Sequence, residues 1–105
     1  MLGEFELLVL LAAVRLGDDA HAVSIVEEIA ARAGRTVQRA AVYVTLQRLE
    51  DKGLVTSWLG TPLPERGGKA RRHVRVTRGG REAIREAREA LQNMWAGLGR
   101  GMEDA

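Results

Sequence analysis

Arg39, Tyr43 and Gln47 recur at i, i+4 and i+8, a spacing that places three polar side chains on one face of a helix, and Gln38 stands beside the first of them. Each has a defined partner on a nucleic-acid duplex. Arginine can take O6 and N7 of guanine, glutamine can take N6 and N7 of adenine, and a tyrosine hydroxyl can reach a phosphate oxygen. Further along, Arg66, Lys69, Arg71 and Arg72 cluster around the Gly67, Gly68 pair. Glycine lets a backbone approach a surface closely, so this cluster suits contact with phosphates or a minor groove. Arg75, Arg78 and Arg81 extend the basic run.

These residues sit inside a wider asymmetry. Between Arg32 and Arg81 there are twelve Lys or Arg against three acids, Glu50, Asp51 and Glu65, while the remainder of the 105 residues is acidic enough to bring the whole chain to +2. Clustered cations displace the counterions condensed on a polyanion, and nucleic acid is the polyanion this pattern fits. Catalysis finds no comparable foothold. There is no cysteine, and His21 and His73 have no companion carboxylate or thiol at ligand spacing, so neither a metal nor another cofactor is expected. No paired-carboxylate metal site, nucleophile with a base, or phosphate-cradling glycine motif is present, and an enzyme is not expected. The apolar run Leu7 to Val14 follows Glu4 and Glu6 and is too short to span a bilayer. The expected location is therefore the cytoplasm, with no membrane contact.

The elements that must position the basic residues follow from hydrophobic period and punctuation. Glu4 to Leu16 is apolar nearly all round, which predicts a helix buried on most sides, ended by Gly17, Asp18 and Asp19. Ile25, Ile29 and Ala33 predict a second, amphipathic helix over about Ala22 to Ala33, with Gly34 at its C-cap. Thr36 is a good N-cap residue for a third helix running to Lys52, in which Val42, Leu46 and Leu49 face inward. Leu54 to Leu59 and Arg72 to Val76 read as two short strands joined by a long loop with a basic tip. Thr77 caps a last helix whose Ala83, Ile84, Ala87, Leu91, Met94, Trp95 and Leu98 form an apolar seam too long for so small a body to cover. Gly99 to Ala105 is expected to fray.

Three helices followed by a hairpin with a basic tip is the order of a winged helix-turn-helix, mostly α with a small β-hairpin wing. The segments LGEFELLVLLA, VSIVEEIAARAGRTV, AAVYVTLQRLEDKGLV and TPLPERGGKARRHVRVTRGGREAI, in that order, resemble the PadR family of bacterial transcriptional regulators from Leu2 to about Leu98. The short single last helix is similar to that of the family's small subgroup. The resemblance implies a winged helix-turn-helix over residues 1–77 and a dimerisation helix with its tail over residues 78–105. It also implies a homodimer that binds double-stranded DNA at a palindromic operator and represses transcription. Tyr43 matches a DNA-contacting tyrosine of the family, and a small flat apolar effector between dimer helices near Met94 and Trp95 is a further implication. From spacing alone, a tryptophan there packs. Ile84, Ala87, Leu91, Met94, Trp95 and Leu98 are the expected dimer contacts. The alternative is a winged-helix module that binds another protein through the same surface, since one fold serves many functions.

Overall fold

In the computed structural model, residues 2–64, 67, 68 and 70–103 are described, and Arg66 and Lys69 of the basic cluster lie outside the described residues. Helix α1 spans Glu4–Leu16 and buries Val9, Leu10, Ala12 and Ala13. Its first turn is closed by Glu6, whose carboxylate accepts the Gly3 N–H at 3.0 Å. One side of the helix is left uncovered. Leu11 and Val14 stay exposed, because α2, α3, the hairpin and the last helix cover the other sides of α1 and none of them lies over this one.

A 3-10 turn at Gly17–Asp19 leads into α2, Ala22–Ala33, which buries Ala22, Ile25 and Ile29. Gly34 ends it in the left-handed conformation, φ 66°, and returns its N–H to Ala30 O. Helix α3 is Arg39–Asp51, with Gln38 at its N-cap and Val42, Thr45, Leu46 and Leu49 buried. It starts later than the Thr36 cap predicts, and burial gives the reason. Val37 and Val42 both pack on the core, yet five residues of continuous helix would set them about 140° apart. The chain stays irregular through residues 34–38 and so satisfies both.

Strands β1, Val55–Leu59, and β2, Arg72–Val76, pair antiparallel, with Val55 opposite Val76, Trp58 opposite His73 and Leu59 opposite Arg72. Leu54, expected in the first strand, instead donates its N–H to Leu49 O and closes the end of α3. The free edge of β2 meets a third stretch of backbone: Val74 N–H donates to Ala20 O at 2.9 Å, and His21 forms an isolated bridge with His73. Val55, Val74 and Val76 complete the core.

Helix α4 runs Arg78–Trp95, capped by Thr77, whose hydroxyl oxygen accepts the Gly80 N–H at 3.1 Å. Only its first half packs on the body, through Gly80 and half-buried Ile84. The rest projects and stretches the molecule to 56 × 27 × 20 Å. The helix ends at Trp95, so Leu98 lies past the Gly97 break and is not part of its seam. A short helix α5, Gly99–Glu103, stands where fraying was expected, with Leu98 O accepting the Met102 N–H, and Asp104 and Ala105 lie outside the described residues.

Gly80 is where α4 meets Leu54, between α3 and β1, and Val76 of β2. A Cβ there would meet the Leu54 carbonyl oxygen and stand 2.6 Å from Val76 Cγ1, whereas at Gly79 nothing comes nearer than 3.6 Å. The Leu54 carbonyl is fixed by the Thr77 N–H it accepts, so it cannot withdraw. Gly80→Ala is therefore expected to lower stability by about 1–3 kcal/mol through overpacking. Gly79→Ala is expected to be neutral or to gain up to about 1 kcal/mol from helix propensity. Thermal unfolding followed by circular dichroism distinguishes the two, and equal shifts for both variants would contradict this account of the contact.

Candidate nucleic-acid interface

On α3, the residues that must bury, Val42, Thr45, Leu46 and Leu49, occupy one side. Arg39, Tyr43 and Gln47 are thereby turned to solvent on the opposite side, and Gln38 is exposed just ahead of them. Tyr43 is 51 % exposed. Gln47 is partly committed, since its Nε2 donates to Asp51 Oδ1 at 3.0 Å.

The hairpin brings its basic residues to the same place. Arg71 and Arg72 line a notch of about 220 Å³ together with Arg39 and Tyr43 of α3 and His21, Ala22 and Val23 at the start of α2. Arg72 is held in position by a relay: its Nη1 donates to Ser57 Oγ at 3.1 Å, and that hydroxyl donates to the Glu50 carboxylate at 3.0 Å. A second groove, lined by Tyr43, Gln47, Glu50, Ser57 and Arg72, adjoins the first. Of the eight residues singled out in the sequence for this surface, Arg39, Tyr43, Arg71 and Arg72 line the same notch. Gln47 flanks them, Gln38 lies at the end of the helix, and Arg66 and Lys69 fall outside the described residues.

Ion pairing sorts the remaining cations. Arg32 pairs with Glu28, Arg35 with Glu4, Lys52 with Glu6 at 2.8 Å and Arg75 with Asp18 at 2.8 Å. Lys52 and the Gly3 amide together hold the Glu6 carboxyl below the usual carboxylate range. All four acids come from outside the basic middle of the chain. Arg75 also lies over the Trp58 ring, 5.2 Å from its centre, and Trp58 stacks on His73. Arg39, Arg71 and Arg72 form no ion pair with any described residue, and neither do Arg48, Arg78 and Arg81 of the basic middle, so three of its unpaired arginines lie at the notch.

Sequence reasoning missed His21. Its Nδ1 faces the Ser24 N–H at 3.3 Å while Ser24 Oγ accepts the His21 N–H at 3.0 Å, a reciprocal cap with serine in the place a glutamate usually takes. Its Nε2 lies 2.9 Å from Arg71 Nη1 and 3.8 Å from Asp19 Oδ1. Burial, and then the Arg71 charge, push the imidazole below its ordinary value of 6.5, against a smaller opposing pull from Asp19. A histidine with a depressed folded-state value binds its proton more readily when unfolded. Its neutral form supports the fold above pH 6.5, and stability falls as the pH drops below that value. Urea midpoints measured from pH 7.5 down to 5 should decline for the wild type, and the decline should shrink in His21→Asn, which keeps a capping side chain without the titration. Parallel curves for the two proteins would place the acid sensitivity elsewhere.

Comparison with known proteins gives this surface its setting. A regulator of the PadR family from Eggerthella lenta DSM 2243 superposes with a TM-score of 0.71 at 26% identity, covering 93% of this chain and 83% of that one. A PadR family regulator from Clostridium difficile R20291 gives 0.74 at 16% identity, over 95% and 99% of the two chains. A third neighbour, BpsR of Bordetella bronchiseptica, described by the regulation of its DNA binding by 6-hydroxynicotinic acid, gives 0.61 at 24% identity over 99% and 76%. No curated protein matches the sequence. Among the described residues no helix is long and apolar enough to cross a membrane. The family model for PadR-like transcriptional regulators matches residues 10–86, about three quarters of the chain, and with a winged helix shared with solved family members the protein belongs to the PadR-like family of transcriptional regulators.

Proposed function

We propose that the protein is a homodimeric, sequence-specific repressor that places α3 of each subunit in the major groove and the hairpin against the adjacent backbone. The observation that carries this reading is the convergence of Arg39 and Tyr43 with Arg71 and Arg72 on one notch where no described acid pairs with them. In it, Arg39 and Gln47 read base edges, and Tyr43, Arg71 and Arg72 hold phosphates, with Gln38, Arg66 and Lys69 extending the contact. Repression is steric, since a dimer occupying two successive major grooves blocks the DNA between them. Residues 1–77 are the reading head and residues 78–105 the dimerising arm.

Support for the dimer comes from apolar surface left without cover. Leu91 is 51 % exposed, Trp95 61 % and Met94 76 %, and Leu11 and Val14 of α1 are exposed as well. Leu7, Leu11, Ile84, Leu91 and Trp95 line a common groove of about 300 Å³. Apolar surface of this kind marks an association site, at about 25 cal/mol per Å² removed from water. Ala87 is half-buried on the same helix and Leu98, past its end, is 41 % exposed, and the groove beside Trp95 is the place we assign to a small flat apolar effector.

DNA selected from a random pool by the purified protein should be enriched in a palindrome. On that site Arg39→Ala should cost about 1–3 kcal/mol and relax preference at one base position. Arg72→Ala should instead leave base preference intact and shallow the dependence of log K on log salt by about one unit. A flat pool would favour the protein-binding alternative, and an Arg39→Ala variant with full affinity and selectivity would displace α3 from the groove.

Leu91→Asp puts a carboxylate into the proposed seam. Sedimentation should find it monomeric or much weakened in association, since a charge buried there costs several kcal/mol, and its affinity for the palindrome should fall with it. A variant that remains dimeric would mean that the subunits meet elsewhere.

A further inference from the structure

The exposed side of α3 is divided into unlike strips. Arg39 and Tyr43 lean toward the hairpin, where they line the notch with Arg71 and Arg72. Arg48 stands on the other flank, exposed and in no ion pair with a described residue. The crest between the flanks is apolar. Val44 is two residues from both Val42 and Leu46, so it points about 200° round the helix from each of these buried residues. Ala40, one turn earlier on the same line, is exposed as well. Val44 is 54 % exposed and belongs neither to the core nor to the residues packed against it. A β-branched residue at an exposed position inside a helix is also a poorer helix former than alanine, so the free domain draws no stability from it.

An apolar ridge with cations on both flanks matches the cross-section of a major groove. Phosphates run along both of its walls, and its floor carries one apolar group, the C5 methyl of thymine. The unpaired arginines beside the ridge, Arg39, Arg71 and Arg72 on one side and Arg48 on the other, favour that polyanion over a protein partner. We infer that Val44 is a base-reading residue, whose two methyl groups pack on the C5 methyl of a thymine while the small Ala40 side chain lets the helix come that close. The inference rests on the DNA-binding reading above and adds to it a residue and a base that hydrogen bonding does not select. Cytosine has only a hydrogen at C5 and leaves the valine without its contact. A purine would turn N7 toward the valine and lose that atom's hydrogen bond to water. Gln47 lies three residues on and is therefore a neighbour of Val44 on the helix surface. Its Nε2 donates to Asp51 Oδ1, which steadies the amide. Amide and isopropyl group side by side suit an A·T pair, the one taking adenine N6 and N7 and the other the thymine methyl.

The test removes one methyl group from the DNA and one side chain from the protein. In a fluorescein-labelled duplex of the sequence enriched from the random pool, each thymine is replaced in turn, in both half-sites, by deoxyuridine, which pairs as thymidine does and lacks only the C5 methyl. Binding is followed by anisotropy at fixed salt. At one thymine position the wild type should lose about fourfold in affinity per half-site, the effect of one methyl group withdrawn from water. Val44→Ala should bind the thymine duplex more weakly by a similar factor and should no longer distinguish thymine from uracil at that position, with its responses at the other positions unchanged. Its thermal unfolding midpoint should equal or exceed that of the wild type, which separates lost contact from lost fold. An enriched sequence without thymine, wild-type indifference to every uracil, or a Val44→Ala variant that still prefers thymine at the same position would each overturn the inference while leaving DNA binding in place. Sedimentation of DNA-free Val44→Ala that differs from the wild type would make the ridge a contact between copies and overturn it as well. Failure of the wild type to bind any duplex would instead remove the DNA-binding reading and the inference together.

Discussion

The pairing of β2 on both of its edges is the constraint on which the interface depends. A two-stranded hairpin is marginal in water, and one attached through a single edge could swing. Here β1 takes one edge, and the Ala20–His21 backbone takes the other through the Val74 to Ala20 bond and the His21–His73 bridge. The hairpin is thereby fixed to the start of α2, and α2 packs on α3 through the shared core. Arg71 and Arg72 consequently open onto the same notch as Arg39 and Tyr43, although more than twenty residues separate them in sequence. The Arg72–Ser57–Glu50 relay then tightens the junction between α3 and the strands from the other face.

How much of this was legible in the sequence depends on the length over which each feature is written. Helices α1 and α2 and strand β2 were readable because apolar period and a terminating glycine or acid pair agree over many residues. The start of α3 was not, because Thr36 is by type a better cap than Gln38. What decides the boundary is the shared burial of Val37 and Val42, a tertiary demand invisible to local propensity. The one-residue bridge at His21 is too short to leave any period. The exposure of Leu11 and Val14 on an otherwise apolar helix also depends on which neighbours the fold supplies.

The candidate site was legible by residue type and spacing on α3, where one helical face carries the pattern, and less so on the hairpin. There the sequence offers a run of arginines with no means of telling them apart. Arg71, Arg72 and Arg75 look alike in a string, yet Arg71 faces a histidine, Arg72 is positioned by a serine and a glutamate, and Arg75 is drawn to Asp18 and Trp58. His21 had no signal of its own beyond a serine three residues later, and that serine stands at the cap position where a glutamate is usual.

The ion pairs made by Arg32, Arg35, Lys52 and Arg75 have a consequence for how the molecule meets a duplex. The acids at the start of α1, on α2 and in the turn after α1 mask cations on the flanks of the domain. A small basic protein with bare cations on every side would adhere to DNA in many orientations, most of them unproductive, and would have to let go before trying again. On the DNA-binding role proposed above, these four pairs weaken the pull of those flanks, so nonspecific sequence is met more often by the side that carries α3. On that role, acidic residues far from α3 would serve recognition by shortening the search.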